Sequence, residues 1–293
     1  MRLRRFDRAD DYLAVAGTFL VARESEHNLM LGLCYALAQH SERFGPPPYL
    51  AAVEHDGAVV AAALMTPPAN LVLSHTEEPE AIQLLAFDIK RGYLTLPGVF
   101  GPSDVSRSFA ECWQGLTGQP YALHMAQRIY QLESVTPSPG APGSLRRAGP
   151  SDRELVIEWM TAFHVEAGSA VDPARAALRA AETRLDSADS ALYFWMDGSP
   201  VSLAGYTGPT PNGIRIGPVY TPPEHRGHGY ASTCVATLSQ LLLDGGRKFC
   251  FLFTDLSNPT SNHIYQSIGY RSVCDVDEYR FSPLPDWQSS TVE

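Results

Sequence analysis

The hydrophobic pattern divides the chain into two rounds of similar order. In the first, Leu3–Phe6 reads as a short strand and an Asp-rich helix start leads into an apolar pattern running through Val21. Leu29–Gln39 makes a second helix, which Gly45-Pro-Pro-Pro48 breaks. Two β-prone runs, Tyr49–Val53 and Val59–Met65, flank Asp56-Gly57 and predict a hairpin. Leu71–Ser74 fits a further strand, and Glu78–Arg91 sets Ile82, Leu85, Ala86 and Ile89 on one helical face. A strand end rich in Pro and Gly, Leu94–Asp104, precedes a helix over Ser106–Thr117 and a strand.

Pro137-Ser-Pro-Gly-Ala-Pro-Gly143 closes this round as a linker, because prolines prevent regular hydrogen bonding and glycines add permissive turns. The second round opens with the strand Leu145–Ala148. Ser151 followed by Glu154 resembles a capping box for a helix through Leu155, Trp159 and Phe163, and Asp172-Pro173 starts another through Leu185. Leu192–Met196 and Val201–Tyr206 around Asp197-Gly198 form a second hairpin, and Asn212-Gly213 turns into the strand Ile214–Thr221. Tyr230–Leu243 is a helix ended by Gly245-Gly246, and Phe249–Thr254 suits a buried strand. Asn258 and Pro259 start a helix that Gly269 stops; Tyr270–Val273 and Glu278–Phe281 predict closing strands. The segments so drawn are 1–135, a linker at 136–143, 144–282 and a polar tail at 283–293.

A length of 293 residues allows one large or two medium domains. The formal net charge of −10 speaks against nucleic acid, which needs clustered Lys and Arg. No stretch reaches the ~20 apolar residues of a membrane span. The basic start Met1-Arg-Leu-Arg-Arg meets Asp7, Asp10 and Asp11 and then Arg23-Glu-Ser-Glu, where a secretory leader would carry a cleavage site of small residues. Cys34, Cys112, Cys234, Cys250 and Cys274 are dispersed without metal-ligand spacing, which predicts reduced, buried thiols in a cytoplasmic protein and no metal. His27, His40, His55, His75 and His124 likewise have no partner spacing for a metal or a triad.

The chemistry concentrates at residues 214–231. A β-branched run, a double-proline turn, a glycine-rich loop and a helix make the ground plan of a phosphate cradle: glycines admit a close backbone, and the first-turn N–H groups point at an anion. No Gly-Lys-Ser/Thr follows, so the Walker form is excluded, and Gly227-His-Gly229-Tyr-Ala-Ser232 lacks the third glycine of a dinucleotide fingerprint.

Arg226-Gly-His-Gly229-Tyr-Ala231 resembles the acyl-CoA loop of the GNAT N-acetyltransferases, Gln/Arg-x-x-Gly-x-Gly/Ala. Asn258-Pro-Thr-Ser-Asn-His-Ile-Tyr265-Gln-Ser-Ile-Gly269-Tyr270 resembles the Asn-x-x-Ala-x-x-x-Tyr-x-x-x-Gly-Phe helix of that superfamily, with Ser261 at the Ala position. The resemblance covers about residues 144–281. It implies an α/β (α+β) fold of two tandem GNAT-like domains, each a mixed, mainly antiparallel twisted sheet flanked by helices. In the first half, Leu94–Asp104 stands as the loop's counterpart; it lacks the motif and carries Asp104, the wrong charge for a pyrophosphate. That half reads as a degenerate, cofactor-free repeat, or else as an unrelated α/β cap, kept for stability, for the acceptor pocket or for homodimerisation.

The resemblance assigns acetyl-CoA as cosubstrate to backbone groups of Val219, Tyr220 and Thr221 along the pantetheine. Gly227, His228, Gly229, Tyr230 and Ala231 hold the pyrophosphate, Arg226 adds charge or loop architecture, and Asn258 caps its helix and reaches the cofactor arm. Tyr265 is the candidate general acid for the leaving thiolate, since a phenol can donate a proton from a fixed helix position. The base is not legible: Glu166, Asp172, Glu224 and Asp255 are candidates beside water, and no acid lies within Ile214–Tyr220. The expected function is N-acetyl transfer to a small primary amine or amino-acid-like acceptor by direct attack. A non-catalytic acyl-CoA sensor and a peptide acetyltransferase are the alternatives.

Overall fold

The computed structural model of the chain describes residues 1–137, 140–168 and 172–284. It forms two compact units, Met1–Arg128 with Cys274–Glu293, and Ile129–Val273. The first runs β1 (Arg2–Phe6), α1 (Ala9–Ala22), α2 (Asn28–Gln39), β2 (Tyr49–His55), β3 (Ala58–Met65), β4 (Leu71–Leu73), α3 (Pro79–Lys90), β5 (Gly98–Pro102), α4 (Ser103–Thr117) and into β6 (Tyr121–Leu132). The second runs β7 (Ser144–Arg147), α5 (Arg153–Ala167), α6 (Pro173–Arg184), β8 (Ala191–Asp197), β9 (Ser199–Thr207), β10 (Gly213–Tyr220), α7 (Tyr230–Asp244), β11 (Phe249–Asp255), α8 (Pro259–Ile268) and into β12 (Arg271–Phe281). The order β-α-α-β-β-β-α-β-α-β therefore occurs twice, the repeat suggested by the hydrophobic pattern.

Strand order in the first unit is β1-β2-β3-β4-β5, then the Cys274–Phe281 part of β12, then β6; in the second it is the end of β6, then β11-β10-β9-β8-β7. The registered pairs are antiparallel except β4 with β5 and β10 with β11, the pairs that a crossover helix separates in sequence. Each sheet is covered on both faces. In the first unit Leu50, Ala52, Ala62 and Leu64 pack on α1 and α2 with Tyr12, Leu20 and Met30, while Ala51, Val53, Ala61 and Ala63 pack on α3 and α4 with Leu85, Phe109 and Trp113. Side chains alternate faces at period two, so a strand buried on both sides reads as one continuous apolar run. In the second unit Ile214, Ile216, Cys250 and Leu252 face α7 and α8, and Phe194, Leu203 and Tyr220 face α5 and α6.

Several boundaries differ from the sequence expectation. The unit break does not follow the Pro-Gly linker: Tyr130 and Leu132 belong to the second unit's core, and Tyr279 and Phe281, expected in the second domain, belong to the first unit's core. Hydrogen bonding along a shared strand is invisible to local composition. Residues 140–143 of the expected linker are docked: Ala141 N–H donates to Thr233 Oγ1 at 2.8 Å and Trp195 Nε1 to the Pro142 carbonyl at 2.8 Å. Residues 138–139 of that linker and 285–293 of the tail lie outside the described residues. The two expected closing strands are one, β12. Ser151 is not the helix cap; Asp152 accepts from Gly149 N–H at 2.8 Å and pairs with Arg146 at 2.9 Å, which holds its carboxyl below the usual range.

The repeat also relocates the first-half counterpart of the glycine loop. By element order it is the β4–α3 connection, Ser74-His75-Thr76-Glu77-Glu78, and not Leu94–Asp104, which instead forms β5 and the start of α4.

Among the described residues no helix is long and apolar enough to cross a membrane, and no group of His, Cys, Asp or Glu is arranged to hold a metal ion. The five cysteines are free thiols, and burial pushes Cys34, Cys234, Cys250 and Cys274 up to about 12.

Candidate functional site

The site is built where β10 parts from β11. The two parallel strands are in register only from Gly213↔Phe249 to Arg215↔Phe251. Beyond Arg215, β10 keeps its partner on the other side, with Val219 opposite Ala204 and Tyr220 opposite Leu203, after a register shift between Ile216 and Val219. The β11-facing backbone of the last part of β10 is thus outside the ladder, and an unpaired strand edge accepts an extended ligand arm. Val219 and Tyr220 lie on this segment. Thr221 follows, its hydroxyl 2.8 Å from Ser202 Oγ and its carbonyl accepting from Arg226 Nε at 2.9 Å.

After the Pro222-Pro223 turn, Gly227 and Gly229 take φ of +80° and +78°, the left-handed region in which an L side chain is strained. Gly229 is the N-cap of α7 and offers no side-chain acceptor, so the first-turn amides of Tyr230, Ala231 and Ser232 have neither an intrahelical partner nor a cap. Open amides at the positive end of a 15-residue helix, reached over two glycines, form an anion cradle. The residues present fit a pyrophosphate. His228 is exposed, stacks on Tyr230 at 5.7 Å between ring centroids and has Nδ1 3.3 Å from the His225 carbonyl. The Tyr230 hydroxyl donates to Asp197 Oδ2 at 2.6 Å, which ties the first turn of α7 to the β8–β9 hairpin and raises the phenol above its ordinary range.

Arg226 is engaged as a staple. Its Nη2 donates to both oxygens of Glu166 on α5, at 2.9 and 2.7 Å, while its Nε holds Thr221. The guanidinium therefore fixes the loop's entry, the architectural of its two expected roles, and the pair removes Glu166 from the free bases. Asp172 caps α6 by accepting from Arg175 N–H at 3.0 Å, and Asp255 Oδ1 accepts from the backbone and hydroxyl of Ser257. Glu224 is exposed in the turn before the loop.

Asn258 caps α8, its Oδ1 accepting from Ser261 N–H at 3.0 Å. Asn262, one turn on, donates to the Asp255 and Asn258 carbonyls and accepts from Thr254 Oγ1 and the Tyr130 hydroxyl, which locks the β11–α8 corner. Tyr265 stands on α8 with its ring edge-on to Tyr270 at 6.0 Å, bordering the same core as Val219 and Tyr230. Burial pushes its phenol up to about 12, and the hydroxyl has no hydrogen-bond partner among the described residues.

Residues the sequence reading did not single out also line this region. Arg215 ends the paired part of β10, Arg184 Nη1 donates to the Gly217 carbonyl at 2.9 Å inside the register shift, and His164 lies within electrostatic reach of Arg184. Arg184 and His164 sit on helices whose local sequence is unremarkable for chemistry, so nothing in the sequence marks them; an arginine between Ile214 and Ile216 was a usable signal.

In the first unit the corresponding loop is closed. His75 N–H donates to His27 Nε2 at 3.0 Å and Glu78 N–H to Thr76 Oγ1 at 3.2 Å, and the segment carries Glu77 and Glu78 where the second unit carries glycines.

Residues 197–281, from the last residue of β8 to the end of β12, match the family model described as FR47-like protein. No curated protein matches the chain. Among solved structures, the chain is similar to a Drosophila protein (13% identity, 97% of this chain and 99% of that one, TM-score 0.67). It is similar also to a GCN5-related N-acetyltransferase from Sphaerobacter thermophilus (16% identity, 96% and 95%, TM-score 0.61). A third is a tandem GNAT protein from the clavulanic acid biosynthesis pathway (13% identity, 97% and 98%, TM-score 0.53). These likenesses run over both units and are likenesses of fold. The fold is thus that of GNAT proteins, and residues 197–281 are similar to the FR47-like family.

Proposed function

We propose that the second unit is an acetyl-CoA-dependent N-acetyltransferase acting on a primary amine by direct attack. The observation that carries this is the pairing of an unladdered strand edge after Arg215 with an uncapped helix N-terminus reached over Gly227 and Gly229. One ligand with an extended amide-bearing arm and a pyrophosphate satisfies both. Acetyl-CoA, when bound, supplies the thioester carbonyl that an amine attacks. The open amides of Gly227 to Ala231 hold the pyrophosphate, and the free edge at Val219 to Thr221 aligns the arm and polarises the carbonyl. Asn258 orients the arm from the α8 cap. A C–N bond forms and the C–S bond breaks; the amine gives up one proton and the departing thiolate takes up one, so the products are the acetamide and free thiol.

Tyr265 serves the thiolate. A phenol near 12 stays protonated through neutral pH. Full transfer to a thiolate, whose conjugate acid lies near ~8.5, is uphill on these values. The residue therefore donates a hydrogen bond to the sulfur and completes the transfer as positive charge builds on the attacking nitrogen. Glu166, Asp172 and Asp255 are engaged in the fold, which leaves the amine's proton to Glu224 or water.

That same engagement of the carboxylates favours a second reading, an acyl-CoA sensor without turnover. Thiol release from acetyl-CoA against a panel of amines separates the two. Amine-dependent release is expected; acetyl-CoA binding with no release over the whole panel selects the sensor.

A further inference from the structure

The α5/α6 side of the cleft carries positive charge that acetyl-CoA chemistry does not use. Ile214 and Ile216 point to α7 and α8, so Arg215 between them points to the opposite face, as does Phe253, over whose ring its guanidinium lies at 5.9 Å. Arg184, in the last turn of α6, reaches the same place and donates to the Gly217 carbonyl at 2.9 Å. Both side chains are half-buried, and Arg184 forms no ion pair with a described residue. Burial pulls both guanidiniums down to about 10, and for Arg215 the charge of Arg184 adds to the effect. His164 on α5 feels Arg184 too and is drawn below its ordinary value, chiefly by burial. A half-buried guanidinium such as that of Arg184, outside any ion pair with the described residues, is costly unless an anion completes it.

We propose that the acceptor amine carries a carboxylate, and that Arg184, with Arg215 adding charge, binds it on the α5/α6 side of the β10–β11 cleft. The proposal rests on the acetyl-transfer reading above. A guanidinium presents parallel N–H donors that match a carboxylate. Arg184 is anchored to the backbone of the β10 register shift, so an acceptor held by its carboxylate is set beside the strand edge assigned to the thioester. A monoanion suits a half-buried face better than a phosphate dianion, whose desolvation is larger.

The test compares amino acids with their decarboxylated amines in the thiol-release assay, on full-length protein, with phosphorylated amines as a third arm. The carboxylated member of each pair is expected to show a kcat/KM higher by ~10–100-fold, the range of a hydrogen-bonded charge pair. In Arg184→Met the ratio falls towards one, and in Arg184→Lys it is partly restored. Three results overturn the proposal: equal use of both members in the wild type, a preference for the phosphorylated amines, or a ratio unchanged in Arg184→Met. The last would make Arg184 a clamp of the Gly217 carbonyl, seen as a lowered Tm alone. If no amine is turned over, the acetyl-transfer reading fails by itself, and calorimetry of N-acetylated amino acids against CoA-loaded protein decides this one. Binding weakened in Arg184→Met supports it, and absence of binding in the wild type overturns it.

Discussion

Two residues make predictions from their surroundings alone. Tyr265 keeps its ring in the α8 core whether or not it carries a hydroxyl, so Tyr265→Phe removes only the donor. Turnover is expected to fall ~10²-fold with acetyl-CoA affinity held; turnover at the wild-type rate, with chemistry shown to be rate-limiting, would assign the residue to packing. His27 is the second. It is 3% exposed, with Nδ1 3.0 Å from the Leu20 carbonyl and Nε2 accepting from His75 N–H, so the fold holds one neutral tautomer. Burial lowers its pKa from 6.5, with His75 and Arg23 adding to this and the Leu20 bond and Glu26 opposing it. A depressed base stabilises the fold fully above the unfolded pKa and loses that contribution as pH falls through and below ~6.5, because the unfolded chain then binds the extra proton. Chemical denaturation between pH 7.5 and 5 should show stability declining in that window, and less steeply in His27→Gln. Identical pH slopes in the two proteins would refute the assignment.

At the scale of elements, the glycine loop and α7 act as one device. Gly229→Ala isolates the backbone cost of φ +78°, about 1–2 kcal/mol. Gly229→Asp adds like-charge repulsion at the helix N-terminus and is expected to abolish acetyl-CoA binding while the protein still folds. Calorimetry giving wild-type affinity for that variant would rule out the loop as the pyrophosphate site. The other element-scale consequence concerns β6. Tyr130 and Leu132 are 1% and 0% exposed in the second unit's core, and Thr136 N–H donates to the Ile268 carbonyl at 2.7 Å. A fragment cut at the Pro-Gly linker, 138–293, loses two buried side chains at roughly 2–5 kcal/mol each, a large share of a stability of ~5–15 kcal/mol. It should melt without cooperativity, whereas 129–293, which retains them, should unfold at a higher temperature. Coincident cooperative melts of the two fragments would show that β6 is dispensable.

Over the whole molecule, the duplicated element order makes ligand stoichiometry the informative quantity. The β4–α3 loop spends amides on His27 and Thr76 and carries Glu77 and Glu78, while the first turn of α7, reached over Gly227 and Gly229, has no side-chain cap. One acetyl-CoA per chain is expected by titration calorimetry. Two equivalent sites would contradict the reading of the first unit as a degenerate repeat.

The periodicity and punctuation of the sequence determined most of the elements, since these rest on local physics. Asp56-Gly57 and Asp197-Gly198 fix their hairpins, Asn258 and Gly269 bound α8, and the glycine pair of residues 227–229 marks the cradle without reference to any distant residue. What tertiary structure decided is what depends on partners far away in the chain. Strand β12 is one element because β5 lines up beside it from Gly98 to Pro102, and Arg226 is a staple because Glu166, sixty residues earlier, comes to it. The convergence of Arg184 and Arg215 exists only once α6 is laid over β10. The unit boundary falls inside β6 and β12, away from the prolines, because hydrogen bonds across a sheet carry no signature in local composition.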